Sequence, residues 1–247
     1  MTLNRENKAL DRIFLALDNM DTDGARSFLK RPGLPTKLKI GMELFYQLGP
    51  LKLKQFILEV GPSSVFLDLK LHDIPNTVAQ AIKSLGGLPI DYLTLHLCGG
   101  IEMLLAARES QRKYLPNCQL VGVSYLTSLS LQDFSTIWGV PESVIPQQFE
   151  KLFELGKQAQ IPCLVLSPQE LKLVTDWEKL HTYQFVKITP GVRFPEEINA
   201  GRIDDQSRPT SWQDAFKNGA DFIVMGRSLT QATNLDQRLQ QITTYSV

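Results

Sequence analysis

The sequence predicts a parallel (β/α)8 barrel, and three observations lead there. Short apolar runs alternate with longer amphipathic ones along the chain. The short runs number eight, and they are rich in Ile, Val, Leu and Phe without clean alternation. That is the pattern of strands buried on both faces. The length, 247 residues, suits one such barrel as a single domain over 1–247. A doubly wound open sheet is the alternative arrangement of the same elements.

The elements follow in order. A strand at 13–17 ends at Asp18, and a helix is read at 25–30. The second strand, 37–40, carries Lys39 just before Gly41, with a helix at 51–60. The third, 65–69, opens as Val65-Phe66-Leu67 and delivers Asp68 and Lys70. These two are two positions apart, so in an extended chain both side chains point to the same side. Asp73 falls beyond the strand, where Pro75 opens a helix at 75–85; proline is well tolerated in a first turn. The fourth strand, 92–95, ends near His96 and precedes a helix at 101–112. The fifth, 120–124, runs into Tyr125-Leu126-Thr127-Ser128. The stretch 126–145 holds a short helical piece, with Pro141 as a turn signal, before a helix at 146–160. Strands six and seven are read at 163–166 and 185–188, with no helix assigned between them. The polar segment 189–209, rich in Gly, Pro, Asp and Arg, follows strand seven; loops of this length are often functional. A helix at 212–218, a strand at 222–224 and a helix at 235–242 complete the series.

Composition narrows the function classes. The chain is 43% hydrophobic and 21% charged, enough for a sizeable core. Lys plus Arg and Asp plus Glu each total 26, so global charge gives no sign of nucleic-acid or acidic-membrane binding, and any anion site must be local. Cys98, Cys118 and Cys163 are far apart and odd in number, which argues against a disulfide framework, and no metal-type spacing appears. His72, His96 and His181 are equally dispersed. Residues 1–8 are polar, without the apolar core of a signal peptide, and no apolar run approaches the roughly 20 residues of a membrane span. A soluble cytoplasmic protein is the expectation.

In a barrel, catalytic groups gather where strands end and βα loops begin. Asp18, Lys39, Asp68, Lys70, His96, Thr127, Arg193 and Arg227 all fall at that end of their strands. Taken singly, most have plainer readings. Asp18 and Asp73 have the placement of helix caps. Lys39 could reach the rim along its apolar stem. Asp68 and Lys70 could be a structural ion pair, and His72 and His96 read more readily as packing residues than as metal ligands. Together they converge on one mouth. Arg193 and Arg227 come from the loops after strands seven and eight, where barrels often bind phosphate. A guanidinium offers planar, permanently charged donors to phosphate oxygens, and Gly226 lets backbone N–H groups approach a ligand.

These residues carry a resemblance. The run Asp68-Leu69-Lys70-Leu71-His72-Asp73-Ile74-Pro75-Asn76-Thr77 closely resembles the signature of the orotidine 5′-phosphate decarboxylase family. The likeness continues in order through Ala16-Leu17-Asp18, Lys39-Ile40-Gly41, Leu126-Thr127-Ser128, Thr189-Pro190-Gly191-Val192-Arg193, Asp204-Asp205-Gln206 and Gly226-Arg227. The overall form is similar to the shorter, bacterial-type enzyme. Two places depart from the family's pattern: Ser207-Arg208-Pro209-Thr210 after Gln206, and Ser228-Leu229-Thr230 after Arg227, where many relatives carry proline. The resemblance implies a homodimeric barrel that converts orotidine 5′-phosphate to uridine 5′-phosphate and carbon dioxide, the last step of de novo pyrimidine synthesis, with no metal or organic cofactor. It implies that Lys39, Asp68, Lys70 and Asp73 form an alternating charge array, with Lys70 the proton donor and Asp73 and Thr77 reaching the neighbouring subunit's site. It further implies that Asp18 and Lys39 hold the ribose hydroxyls and that Thr127 helps bind the nucleotide. Ile74 and Pro190 would also line the substrate, while Arg193, Gln206, Gly226 and Arg227 would engage its phosphate.

Decarboxylation leaves an electron pair on carbon 6 in the plane of the pyrimidine, where the ring's π system cannot delocalise it. The protein must therefore stabilise that charge electrostatically and then protonate it, and an ammonium at Lys70 serves both needs. Two rivals use the same scaffold. Sugar-phosphate decarboxylases and aldolases with an Asp-x-Lys-x-x-Asp motif use magnesium to stabilise an enediolate. They tend to carry an acid where this chain has Lys39 and a small residue where it has Ile74. A non-catalytic nucleotide-binding protein could keep Arg193 and Arg227 while losing the charge array, which here is complete.

Overall fold

The computed structural model describes residues 9–199 and 210–245. Eight parallel strands close into a barrel: β1 (Ile13–Ala16), β2 (Lys37–Gly41), β3 (Ser64–Leu71), β4 (Tyr92–His96), β5 (Gln119–Val123), β6 (Cys163–Val165), β7 (Val186–Thr189) and β8 (Phe222–Met225). Closure rests on β1, which pairs with β2 on one side and with β8 on the other, through Ile13 opposite Ile223 and Leu15 opposite Met225. A doubly wound sheet would leave β1 and β8 unpaired with each other, so the barrel is the architecture.

The helices are α1 (Thr22–Leu29), α2 (Met42–Val60), α3 (Pro75–Ser84), α4 (Gly100–Tyr114), α5 (Leu131–Trp138), α6 (Ile145–Gln158), α7 (Leu171–His181), α8 (Pro195–Asn199), α9 (Trp212–Lys217), α10 (Arg227–Thr230) and α11 (Leu235–Thr244). Two differ instructively from the sequence reading. Helix α2 begins at Met42, but Gly49 takes φ 64° and ψ 171° before Pro50, so only its second half reads as a continuous pattern. Helix α7 was not expected, because Glu178 interrupts its apolar stripe of Leu171, Val174 and Trp177. Glu178 is buried there against Lys187 of β7, 3.0 Å away, an outward-facing pair sealed between strand and helix. The loop after β7 also gains a two-residue parallel ladder, Val192–Arg193 with Thr210–Ser211.

Period-2 alternation decides what lies inside the barrel. Phe14, Phe66, Val121, Val123, Cys163, Val165 and Ile188 form an interior cluster, with Tyr92, Phe222 and Val224 packed on it. Phe14 meets Phe66 and Tyr92 edge-on at 5.4 and 5.5 Å, so aromatic rings plug the amino-terminal half. Moving two residues on along each strand leads from this plug to the mouth. Phe14 gives Ala16 and then Asp18; Phe66 gives Asp68 and then Lys70; Tyr92 gives Thr94 and then His96; Phe222 gives Val224 and then Gly226. A larger surrounding core packs the strands' outer faces against the helices. Among the described residues, no helix is long and apolar enough to cross a membrane.

Candidate active site

A cavity of about 340 Å³ opens at the carboxyl ends of the strands. Its floor is Phe66, Val123, Val165 and Val224, the top of the interior cluster. The small residues Ala16 and Gly226 leave room above that floor.

One wall carries four charges in single file. Lys39 Nζ donates to both carboxylate oxygens of Asp18, at 2.8 and 2.7 Å, and lies 3.9 Å from Asp68 Oδ2. The same Asp68 oxygen accepts from Lys70 Nζ at 2.7 Å. Lys39 is only 8% exposed, and an ammonium that deep must be paired to be tolerated. The pairing needs a glycine two residues on. A Cβ at Gly41 would stand 2.9 Å from Asp18 Oδ1 and 3.3 Å from Lys39 Nζ. Asp18 is therefore not a helix cap: Asp21 caps α1, accepting from Gly24 N at 2.7 Å.

Lys70 is held by its backbone as well as its side chain. Its φ is +48°, a left-handed conformation that costs a lysine on the order of 1 kcal/mol. The register between β3 and β4 shifts between Leu67 and Leu71, so the strand is irregular where Lys70 sits. The displaced Lys70 N–H finds a partner in Thr94 Oγ1 at 2.7 Å, and the Thr94 hydroxyl donates to Asp68 Oδ1 at 2.9 Å. Thr94, fully buried, thus supports both members of the ion pair. Sequence reasoning missed it. The available signal was a hydroxyl residue inside an apolar strand, between Tyr92 and His96 on the inward face.

The opposite end of the cavity is built from loops. Thr127 from the β5 loop, Pro190 and Arg193 from the β7 loop, and Gly226 and Arg227 from the β8 loop all line it. A Cβ at Gly226 would press on Ala16 Cβ at 3.4 Å. Arg193 Nη1 donates to the Val192 carbonyl at 3.0 Å. Gln206 lies outside the described residues.

Asp73, Ile74 and Thr77 stand apart from this cavity, on the surface where β3 turns into α3. Asp73 Oδ1 accepts from Ile74 N at 2.7 Å, while the N-cap position of α3 is Ile74, so Asp73 is not the helix cap. Ile74 is 66% exposed. Beside them, the rings of His72 and His96 lie 5.2 Å apart. Burial, then the neighbouring His72 and Lys70, push the His96 pKa down to about 4, so this imidazole is neutral near pH 7. His72 Nε2 lies 3.9 Å from Cys98 Sγ. Among the described residues, no group of three or more His, Cys, Asp or Glu side chains is arranged to hold a metal ion.

Comparison with known proteins brings out one family. The family described as "Orotidine 5′-phosphate decarboxylase / HUMPS family" matches residues 11–242. The orotidine 5′-phosphate decarboxylase of Staphylococcus haemolyticus is 38% identical over 224 residues, covering 91% of this chain and 93% of the relative. That of Idiomarina loihiensis is 37% identical over 237 residues, covering 96% and 98%. Among solved structures, the orotidine 5′-phosphate decarboxylase of Lactobacillus acidophilus superposes with a TM-score of 0.73 at 27% identity, covering 94% of this chain and 97% of that one.

Proposed function

Because the chain belongs to the orotidine 5′-phosphate decarboxylase / HUMPS family, we propose that it decarboxylates orotidine 5′-phosphate to uridine 5′-phosphate and carbon dioxide, the closing step of pyrimidine nucleotide synthesis. The observation that carries this reading is the row Asp18–Lys39–Asp68–Lys70 along one wall of the cavity. In the proposed complex, the pyrimidine lies over the apolar floor with carbon 6 toward Lys70. The ribose hydroxyls meet Asp18 and Lys39, Thr127 and Pro190 flank the base, and Arg193, Gly226, Arg227 and Gln206 take the phosphate. As the carbon–carbon bond breaks, its electron pair stays on carbon 6 and carbon dioxide leaves. The Lys70 ammonium, fixed by Asp68 and by its own backbone, faces that developing charge and then gives it a proton. Solvent returns the proton to Lys70 after product release. No metal or organic cofactor takes part in this scheme.

A second copy of the chain completes the reading. Asp73, Ile74 and Thr77 are exposed and lie outside their own cavity, which suits residues that serve a neighbouring one. The functional unit proposed is thus a cytoplasmic homodimer of one-domain barrels. The magnesium-dependent sugar-phosphate chemistry of related barrels fits less well, because the Lys39 ammonium lies between Asp18 and Asp68, where it would repel a divalent cation.

The experiment is to follow loss of orotidine 5′-phosphate absorbance on adding the purified protein with excess chelator. Conversion to uridine 5′-phosphate supports the assignment and its independence from an exchangeable metal. No conversion, with magnesium-restored activity on a sugar phosphate, would transfer the protein to the rival chemistry. Nucleotide binding without turnover of either substrate would make it a binding protein.

A further inference from the structure

Next to the arginines of the cavity's loop-built end lies a buried polar network that the proposed chemistry does not use. Ser228 follows Arg227 at the start of α10. Its hydroxyl is almost fully buried, 1% exposed for the residue, and donates to Glu197 Oε2 at 2.7 Å. That same oxygen accepts from the backbone N–H of Phe194 at 3.0 Å. The other Glu197 oxygen accepts from Arg238 Nη1 at 3.1 Å, and Arg238 Nη1 also donates to the Ser228 carbonyl. The Arg238 guanidinium lies 4.6 Å over the Phe194 ring. Three segments distant in sequence therefore meet on one carboxylate: the β7 loop with α8, the start of α10, and α11.

We propose that Ser228, Glu197 and Arg238 form a latch that fixes the spacing of the two phosphate-facing arginines, with Ser228 and Glu197 as positioning residues for the substrate's phosphate. The inference rests on the functional reading above. Each arginine is covalently next to a latched residue: Arg193 to Phe194, Arg227 to Ser228. Among the described residues, a side cavity of about 190 Å³ is lined by Glu197, Ser228 and Arg238 and shares Arg193 and Arg227 with the catalytic cavity, so the latch and both arginines border one space. Two guanidinium groups grip one phosphate well only when their separation is set in advance, and buried hydrogen bonds to a charged group set it. Proline at position 228 would take away the hydroxyl donor, leaving Glu197 Oε2 with one bond fewer. The latch acts through the arginines and touches no reacting atom.

The test compares two substrates, orotidine 5′-phosphate and orotidine, which lacks the phosphate, across wild type, Ser228→Ala, Glu197→Gln and the double variant. The expected result is a rise in KM for orotidine 5′-phosphate of about tenfold in Ser228→Ala, the size for a lost hydrogen bond to a charged acceptor, with kcat little changed. Orotidine should be turned over with the same kcat/KM by all four proteins. The double variant should lose no more than the worse single one, since both break one network. Equal losses on the two substrates, a fall in kcat alone, an unchanged KM, or additive losses would overturn the latch. Glu197→Gln carries the same comparison if Ser228→Ala folds poorly, and thermal melts establish which variants are folded. A wild-type protein that does not prefer orotidine 5′-phosphate over orotidine would remove the phosphate reading itself and the latch with it. A preference kept intact in every variant would remove the latch alone.

Discussion

The two ends of the cavity are built by different means. The charged end stands on strands. Asp68, Lys70 and Lys39 belong to β3 and β2, and Asp18 follows β1 by two residues, so their relative positions are set by barrel register and the two-residue period. The end proposed to take the phosphate stands on loops. Arg193 and Arg227 sit beyond β7 and β8, and their neighbours in the chain are tied together through Glu197, Ser228 and Arg238, the proposed latch. A group that must meet one carbon atom benefits from the stiffer support, whereas a group that grips a phosphate far from that carbon tolerates a tied loop. Changes at the first end should therefore act on turnover, and changes at the second on binding.

Lys70→Ala is the sharpest test of that division. It removes both the positive charge and the proposed proton donor, and turnover should fall by on the order of 10³-fold or more. The fold should survive, since the side chain is part-exposed at the edge of the cavity, where its ion pair is with Asp68. Residual activity near wild type, with unchanged circular dichroism, would take Lys70 out of its role.

Arg193→Ala tests the other end. A lost charge-assisted contact should raise KM by roughly ten- to a hundredfold with a much smaller change in kcat. A loss confined to turnover, with affinity unchanged, would show that the two ends are not separable in this way.

Thr94→Val probes what holds the charged end rigid. The substitution preserves shape but leaves the Lys70 N–H and one Asp68 oxygen without their partner. Stability should fall by about 1–3 kcal/mol and kcat by roughly tenfold, with KM for orotidine 5′-phosphate close to wild type. Denaturant titration and steady-state kinetics on the same preparation would measure both. A KM effect as large as that of Arg193→Ala would blur the contrast between strand and loop.

How much of this was legible in the sequence follows the same division. The barrel and all eight strands could be read, because strands buried on both faces are short apolar runs and their ends line up on one mouth. Asp18, Lys39, Asp68 and Lys70 were legible because charges at the ends of apolar strands are conspicuous. Thr94 was not, since one hydroxyl in a strand reads as ordinary β-propensity until the register places it beside Asp68. Helix α7 was hidden by the buried Glu178, whose partner Lys187 lies on another element. The latch was visible only as a departure at Ser228, because Glu197 and Arg238 are 31 and 41 residues apart from their partners in sequence. What escapes the sequence is pairing between distant segments.

The smallest expected effect concerns His96, on the strand-built side. Its pKa in the folded protein is pushed down to about 4 from an ordinary value of 6.5, chiefly by burial, with His72 and Lys70 adding to the shift and Asp68 opposing it. Below pH 6.5 the unfolded chain takes up a proton that the folded site refuses until about pH 4. The unfolded state binds more protons in that window, so stability falls as the pH is lowered through it and is unaffected by this group above it. His96 is part-exposed, and with solvent screening discounted the loss is on the order of 1 kcal/mol. His96→Gln should flatten the decline in melting temperature between these two pH values, relative to wild type. An identical decline in both proteins would take His96 out of the acid response of the strand-built end.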